Sequence, residues 1–119
     1  MKTPQDPRHQ RRKRLLEELF KRDFADQHID QNAEEIFQIH DLLDQKIKTI
    51  APDFPIEKIN KIDLAILRLA VYELLIEKKA PPRVVIDEAI ELAKEYGNDS
   101  SPAFINGALG KLIHQEEKN

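Results

Sequence analysis

The sequence predicts an all-α protein, a single domain built around one central buried helix. On a helical wheel the apolar residues of 62–76 cover nearly the whole circumference, which is the pattern of a helix buried on all sides. No segment alternates apolar and polar residues as a half-buried strand would, and the chain has only three glycines. The 119 residues suffice for one hydrophobic core but not for a second.

The predicted central helix has two narrow polar edges. One edge carries Arg68 and Tyr72, and the other carries Asp63, Glu73 and Glu77. We interpret them as narrow polar strips on an otherwise buried helix, whose N-terminal end at Asp63 is expected to be exposed. Because a bilayer-spanning helix needs about 20 apolar residues, this shorter and charged segment is not expected to cross a membrane.

The chain begins with a predicted mobile leader, residues 1–7, which contains two prolines and no apolar residue after the first. A first helix is predicted to begin near 8–11 and to end near Arg22. Its inward stripe consists of Leu15, Leu16, Leu19 and Phe20. The helical domain is expected to span residues 8–116, with 117–119 as a short tail.

A second helix is predicted over residues 31–50, with Asp30 as its N-cap. Its inward face repeats at intervals of three and four residues. That face consists of Ile36, His40, Leu43, Ile47 and Ile50, and is widened by Ala33, Phe37, Ile39 and Leu42. Pro52 ends this helix, and Pro55 suits the first turn of a short helix that leads into the central one. We interpret His40 as a half-buried core residue rather than a ligand.

Two further helices are predicted after the central one. The first, about 83–96, is expected to be closed by Gly97 in the C′ position. Four acids of this helix are expected to face solvent: Asp87, Glu88, Glu91 and Glu95. The last helix, about 101–114, opens with Ser101 as its N-cap, ahead of a proline. Its two glycines suggest either close packing or a weak helix there.

The sequence carries no motif of a known catalytic or cofactor site. It has no Cys, which excludes disulfides, thiol catalysis and Cys-ligated metals. It has no glycine-rich phosphate loop, and its four His residues do not have metal-ligand spacing. We therefore expect neither an enzyme nor a bound cofactor, metal or small-molecule substrate. With no apolar signal-peptide core behind the basic N-terminus, the expected location is the cytoplasm.

The sharpest functional signal is a run of basic residues at the predicted start of the first helix. Residues 1–14 hold six Lys or Arg against one Asp, a net charge of +5, so the rest of the chain carries −8. Cations are unfavourable at a helix start, and contacts to RNA phosphates would account for them. The candidate residues are Arg8, His9, Arg11, Arg12, Lys13 and Arg14. One alternative is that the basic terminus is simply solvated. Another is an amphipathic arm that binds a membrane, but the acids Glu17 and Glu18 follow at once and the chain has no Trp to anchor it.

A second candidate for nucleic-acid binding is Phe104 in the last helix. It projects away from the centre of the apolar face, on the flank where Lys111 falls two turns later. An edge aromatic beside a cation can stack on an unpaired base, and it can equally be a rim residue of the core. The acidic edges are either solvated helix faces or a docking surface for a basic protein.

Three blocks of the sequence closely resemble the bacterial transcription antitermination factor NusB family. They are Lys61–Leu74 (KIDLAILRLAVYEL), Pro81–Lys94 (PPRVVIDEAIELAK) and Phe104–Gly107 (FING). In this order and spacing the blocks are specific, and the resemblance covers about residues 56–113. The basic start, up to Leu19 and Phe20, is a weaker match. Residues 23–45 fit poorly, which suggests a shortened member with a helix reduced or lost.

The resemblance implies an all-helical fold of two packed small bundles, about six helices, and no catalysis. It also implies binding to boxA-type single-stranded RNA of ribosomal RNA leader transcripts, together with the ribosomal protein NusE and the transcription elongation complex. For RNA it implies roles for Arg8, Arg11, Arg12 and Phe104, beside which His9, Lys13, Arg14 and Lys111 lie. For the protein partner it implies roles for Phe20 and Asp63, the latter on the edge shared with Glu73 and Glu77. The rival hypothesis is a helical protein–protein scaffold that does not bind RNA.

Overall fold

The structure, a computed structural model, describes residues 6–118. The predicted leader therefore lies outside the described residues apart from Asp6 and Pro7, as does Asn119 of the predicted tail. The helices are α1 (Pro7–Phe24), α2 (Gln31–Gln38), α3 (His40–Ile50), α4 (Lys61–Tyr72), α5 (Pro82–Tyr96) and α6 (Ser101–Glu117), with a 3-10 turn at Ile56–Lys58 and a π-helical turn at Glu73–Glu77. No strand occurs among residues 6–118, which confirms the all-α prediction. None of these helices is both long and apolar enough to cross a bilayer.

Helix α4 is the centre of the fold. It contacts each of the other five α-helices, and α1 packs on α2 as α5 packs on α6. Every residue from Asp63 to Val71 is buried, including the charged Asp63 and Arg68. The prediction of a central buried helix is confirmed, but the prediction that its N-terminal end is exposed at Asp63 is wrong, and Arg68 on the other polar edge is buried as well.

Helix α1 begins at Pro7, one residue before the predicted start. The Asp6 side chain caps it by accepting a hydrogen bond from the Arg8 backbone N–H at 2.9 Å. Pro7 occupies the first helical position, where its missing N–H costs no hydrogen bond. The predicted stripe is confirmed, because Leu15, Leu16 and Leu19 are buried and Phe20 packs against the core, half-buried.

The predicted second helix is wrong in one respect, since it is interrupted at Ile39. The backbone there has φ −107° and ψ 22°, and α2 and α3 end and begin on either side. His40 Nδ1 lies 2.8 Å from the Phe37 carbonyl oxygen, and the two rings stack with centroids 4.5 Å apart. His40 is thus half-buried and hydrogen-bonded, as predicted. Leu42, predicted to widen the inward face, is instead 53% exposed.

The junction between α5 and α6 requires a glycine because two helices meet closely there. A Cβ on Gly97 would lie 2.4 Å from Ser101 Oγ and 2.8 Å from the Ala93 carbonyl oxygen. Gly97 ends α5, as predicted, but it does so as the C-cap with an extended backbone, φ −92° and ψ −168°, rather than in the C′ position. Ser101 is the first residue of α6 rather than its N-cap, and its buried hydroxyl accepts a hydrogen bond from the Asn98 N–H.

We expect opposite effects from alanine at two of the glycines. Gly110 lies within α6, and a Cβ added there would meet no atom within 4 Å, so the predicted close packing is wrong. Gly110→Ala should raise the free energy of unfolding by about 0.5–1 kcal/mol, because alanine favours the helix. Gly97→Ala should lower it by about 1–3 kcal/mol through the clash with Ser101. Urea denaturation of both variants measures the two changes in the free energy of unfolding. If both variants gained or both lost stability, the structure would be contradicted.

Candidate nucleic-acid interface

The basic run occupies the first two turns of α1, where the structure separates buried from exposed side chains. His9 and Arg12 are buried, with 7% and 6% of their surface exposed. Spacings of three, four and three residues place them on one helix face with Leu16 and Leu19. Extending the apolar stripe toward the N-terminus would therefore have identified both positions as inward.

His9 bridges two carboxylates of α5. Its Nδ1 lies 2.8 Å from Glu88 Oε2, and its Nε2 lies 3.1 Å from Glu95 Oε1. Both ring nitrogens can donate only when the imidazole is protonated. The hydrogen bond to Glu88 raises the pKa of His9, burial lowers it, and the contact with Glu95 raises it further, with a net rise above 6.5. The two carboxylates therefore favour the protonated form of the ring, which lies buried between α1 and α5.

Arg12 forms a bidentate ion pair with Glu73 of the π-helical turn. Arg12 Nε lies 2.9 Å from Glu73 Oε2, and Arg12 Nη2 lies 2.7 Å from Glu73 Oε1. Arg12 Nη1 also lies 3.8 Å from Glu88 Oε1. Both partners of the main pair are almost fully buried. Together with His9, this pair fixes the N-terminal half of α1 against the elements that follow α4.

These contacts correct two expectations. His9 and Arg12, expected among the RNA-binding residues, are buried against protein acids and do not present a charge to solvent. Glu73 and Glu88, expected to face solvent, are 3% and 5% exposed because they neutralise those cations. The sequence signal for this pairing was the charge asymmetry itself, since a basic start of +5 and an acidic remainder can also attract each other.

The other cations of α1 reach the surface. Arg8 Nη2 lies 3.0 Å from Asp6 Oδ2, Arg11 Nη2 lies 3.5 Å from Glu77 Oε2, and Lys13 Nζ lies 3.3 Å from Glu95 Oε2. Their side chains remain 80%, 39% and 30% exposed, so these pairs are weak. Arg14 is exposed and has no acidic partner within residues 6–118. Four cations of the basic run therefore remain accessible to solvent, on more than one side of α1.

The stability that His9 contributes should fall as the pH rises. Because the folded-state pKa is raised above 6.5, this contribution is complete below 6.5 and is lost as the pH passes through the raised pKa. Urea unfolding between about pH 5.5 and about pH 9 should show a decline in the wild type that His9→Gln lacks. If the free energy of unfolding changed with pH in the same way for both proteins, a protonated His9 that donates hydrogen bonds to Glu88 and Glu95 would be contradicted.

Phe104 lies half-buried beside a second aromatic ring that sequence reasoning missed. Its ring packs edge-on against Phe54, with centroids 5.3 Å apart, and Phe54 is 48% exposed. The two rings line a groove of about 180 Å³ whose rim includes Lys111. Phe54 sits between two prolines in the loop after α3, and that loop position was the only sequence signal. The groove offers both a ring face and a cation.

The residues predicted to dock a protein partner do not form one exposed surface. Asp63 is 5% exposed, and its Oδ2 accepts a hydrogen bond from the Asn60 side chain at 3.0 Å. Glu77 has 12% of its side chain exposed and faces Arg11. Phe20 is half-buried, and its ring packs against that of Phe24 with centroids 4.8 Å apart. Phe24 is 62% exposed, so the accessible apolar surface lies there.

Comparison with known proteins connects these features to one family. The model of the NusB family matches residues 2–114. The transcription antitermination protein NusB of Clostridium botulinum (strain Kyoto / Type A2) is 51% identical over 85 residues, covering 71% of this chain and 54% of that protein. The protein of the same name from Dehalococcoides mccartyi is 42% identical over 90 residues, covering 70% and 63%. The chain therefore spans about half the length of the clostridial relatives it matches.

The fold agrees with the sequence comparison. A solved structure of T. maritima NusB matches with a TM-score of 0.76 at 33% identity, covering 94% of this chain and 92% of that chain. Because 92% of the T. maritima chain is matched, this chain is only slightly shorter in structure than that protein, although a helix reduced or lost was expected. Since the family model covers nearly the whole chain and the fold is shared, this chain belongs to the NusB family.

Proposed function

We propose that this chain is a transcription antitermination factor that binds boxA-type single-stranded RNA of ribosomal RNA leader transcripts in the cytoplasm. In this proposal it acts together with the ribosomal protein NusE in the transcription elongation complex. The observation that carries the proposal is the group of surface cations on α1, in which Arg14 has no acidic partner within residues 6–118. Membership of a family whose relatives are named antitermination proteins supports it.

The exposed cations of α1 would hold the RNA backbone. Arg8, Arg11, Lys13 and Arg14 can approach phosphates, whereas His9 and Arg12 orient the helix from beneath. Each phosphate contact on single-stranded nucleic acid adds about −0.7 to the slope of log K against log salt concentration, so four contacts give a slope of about −3. Such contacts position the RNA but do not read its sequence.

The groove beside Phe54 and Phe104 would receive a base. Base stacking on an aromatic side chain contributes about 1–3 kcal/mol per base and tolerates any base. Lys111 at the rim could hold the adjoining phosphate. This groove would add affinity to the α1 contacts without strong sequence preference.

The protein partner would dock on the aromatic surface of Phe20 and Phe24. Phe24 is the most exposed large apolar side chain among residues 6–118, which is the usual property of a binding anchor. Asp63, Glu73 and Glu77 would support this interaction through the position of α1 and α4 rather than through exposed charge. The elongation complex would then be reached through the partner.

The alternative is a helical protein–protein scaffold without RNA binding. One observation favours it: nearly every cation of the basic run already has an acidic neighbour on the protein. The pairing gives those cations a structural role that does not involve RNA. Measured RNA affinity decides between the two functions.

The test is an electrophoretic titration of boxA RNA with and without NusE at several salt concentrations. We expect salt-dependent binding that Arg14→Glu weakens, with the slope reduced by about 0.7, whereas Lys48→Glu, an exposed cation on α3, has little effect. Glu77→Gln should strengthen binding, because it releases Arg11 for phosphate contact. Binding that is absent in both conditions, or identical for all variants, would support the scaffold.

The partner surface can be tested in the same titration. Phe24→Glu should abolish the gain in affinity that NusE produces while leaving binding of RNA alone unchanged. Leu42→Glu is the matched control, because Leu42 is 53% exposed on α3 rather than on α1. Equal losses for both variants would argue against a docking role for Phe24.

A further inference from the structure

A cavity of about 330 Å³ lies between α1 and the start of α2, next to the exposed cations. Its walls combine basic, acidic and amide side chains. They are Arg11, Arg14, Leu15, Glu17, Glu18, Asp30 and Asn32. The volume is at the lower end of the range for small-ligand sites and is large enough for a single nucleobase.

Some polar groups of this cavity have partners within the protein, since Glu17 Oε2 accepts a 2.7 Å hydrogen bond from the Tyr96 hydroxyl and Arg11 pairs with Glu77, but others do not. Glu18 Oε2 is buried and accepts no hydrogen bond, although Lys21 Nζ lies 3.5 Å away. Asp30 Oδ1 accepts a hydrogen bond from the Asn32 backbone N–H at 2.9 Å, which fixes that carboxylate at the N-terminus of α2. Arg14 has no acidic partner within residues 6–118. A ligand could therefore accept a hydrogen bond from Arg14 and donate one to the Glu18 carboxylate, whose side chain is 27% exposed.

The mixture of charges selects against simple ions. Two guanidinium groups line the cavity, and no group of His, Asp and Glu side chains within residues 6–118 could hold a metal ion. Three carboxylates line it as well, so a phosphate group would face repulsion. A neutral ligand with hydrogen-bond donors on one edge and acceptors on another could pair with the carboxylates through the first edge and with the guanidinium groups through the second.

We propose that this cavity is a subsite for an unpaired guanine base. Guanine presents two donors, N1–H and the N2 amino group, on its Watson–Crick edge, which the carboxylates of Glu18 and Asp30 can accept. It presents two acceptors, O6 and N7, on its other edge, which Arg11 and Arg14 can donate to. Adenine, cytosine and uracil each have only one donor group on the Watson–Crick edge, next to an acceptor that a carboxylate would repel, whereas guanine has two adjacent donors.

The guanine subsite rests on the proposed function and adds base recognition to it. The other surfaces would only contact phosphates or stack on a base, and neither contact reads the sequence. The subsite also requires a single strand, because the Watson–Crick edge of the base must be free. Each guanidinium has five N–H donors, so Arg11 and Arg14 can donate to the base inside the cavity and to a phosphate of the same strand outside it, while Arg8 and Lys13 contact phosphates alone.

The experiment compares single-stranded RNAs that differ at one position, with guanine, inosine or adenine, in a fluorescence anisotropy titration. Inosine lacks only the N2 amino group. We expect about tenfold weaker binding for inosine and at least as large a loss for adenine. Glu18→Gln and Asp30→Asn should remove most of this discrimination, whereas Glu57→Gln, an exposed acid on the 3-10 turn, should retain it. Asn still caps α2, so Asp30→Asn tests recognition rather than folding.

A second titration, of GMP, IMP and AMP monitored by NMR of the Asn32 and Arg14 resonances, is independent of RNA binding. Selective shifts with GMP support the subsite. Tight RNA binding without guanine preference would overturn the subsite and leave the proposed function standing. Absence of RNA binding would contradict the proposed function. Equal NMR shifts with GMP, IMP and AMP would contradict the guanine subsite, whatever the RNA titration shows.

Discussion

Replacing Arg68 with methionine should lower the free energy of unfolding by about 3–5 kcal/mol, because it strands two carboxylates in a buried site. Arg68 is 5% exposed at the middle of α4. Its Nε and Nη2 lie 2.8 Å from the two carboxylate oxygens of Asp44 on α3, and its Nη1 lies 3.1 Å from Asp23 Oδ1 on α1. One side chain therefore joins three helices.

The loss should be smaller in acid, which separates stranded charge from lost packing. Burial raises the pKa of Asp23, but the hydrogen bonds and charges of Arg68 and Lys61 lower it more, so it is lowered overall. A carboxylate with a lowered folded-state pKa stabilises the protein above its ordinary value of 3.8, and this stabilisation is lost as the pH falls through the folded-state pKa. Arg68→Met removes the cause of that lowering.

Urea unfolding of wild type and Arg68→Met at about pH 7 and at about pH 3, below the ordinary carboxyl pKa, measures both effects. We expect the difference between the two proteins to shrink at the lower pH. Lys61→Met is the control, since its side chain is 49% exposed and its 3.2 Å contact with Asp23 Oδ2 is therefore weak. A difference that does not depend on pH would show that packing of the Arg68 side chain, rather than its charge, stabilises the site.

The helices were predictable because their signals are local. The all-round apolar pattern of 62–76 and the three-four spacing of Leu15 to Leu19 depend only on neighbours in the chain. The second matched the structure, and the first matched it over 63–71, whereas Ile76 lies in the π-helical turn and is 48% exposed. The break at Ile39 was not predicted, since no proline or glycine marks it, and the Phe37 ring nearby makes contacts that periodicity does not show. That ring is shared by His40 and by the guanidinium of Arg22, which lies 4.5 Å from its centroid.

The charged residues were misplaced because their exposure depends on partners distant in sequence. Arg68, Glu73 and Glu88 were predicted at helix edges from the assumption that a charge faces water. Each is buried against a charge 24 to 79 residues away, which periodicity cannot reveal. For the candidate site, residue type drew attention to the basic run, whose role in RNA binding stays a prediction, whereas the division of that run into inward and outward cations required the fold.

The ion pair of Arg12 and Glu73 should show strong coupling in a double-mutant cycle. Arg12→Met alone should cost about 3–5 kcal/mol, since it leaves Glu73 and Glu88 buried with less positive charge. Glu73→Leu alone should cost less, because Glu88 remains 3.8 Å from Arg12. The double variant should recover much of the loss, because two apolar side chains can replace a buried pair at little net cost.

The cycle also tests whether this pair positions α1 for RNA. If Arg12 acts only by orienting the helix, the double variant should bind boxA RNA nearly as well as the wild type and with the same salt slope. If Arg12 contacts phosphate directly, the double variant should lose about 0.7 from the slope even though it is stable. Urea denaturation and the RNA titration on the same four proteins separate these outcomes. Strictly additive losses in stability would contradict the buried pair, since independent sites do not couple.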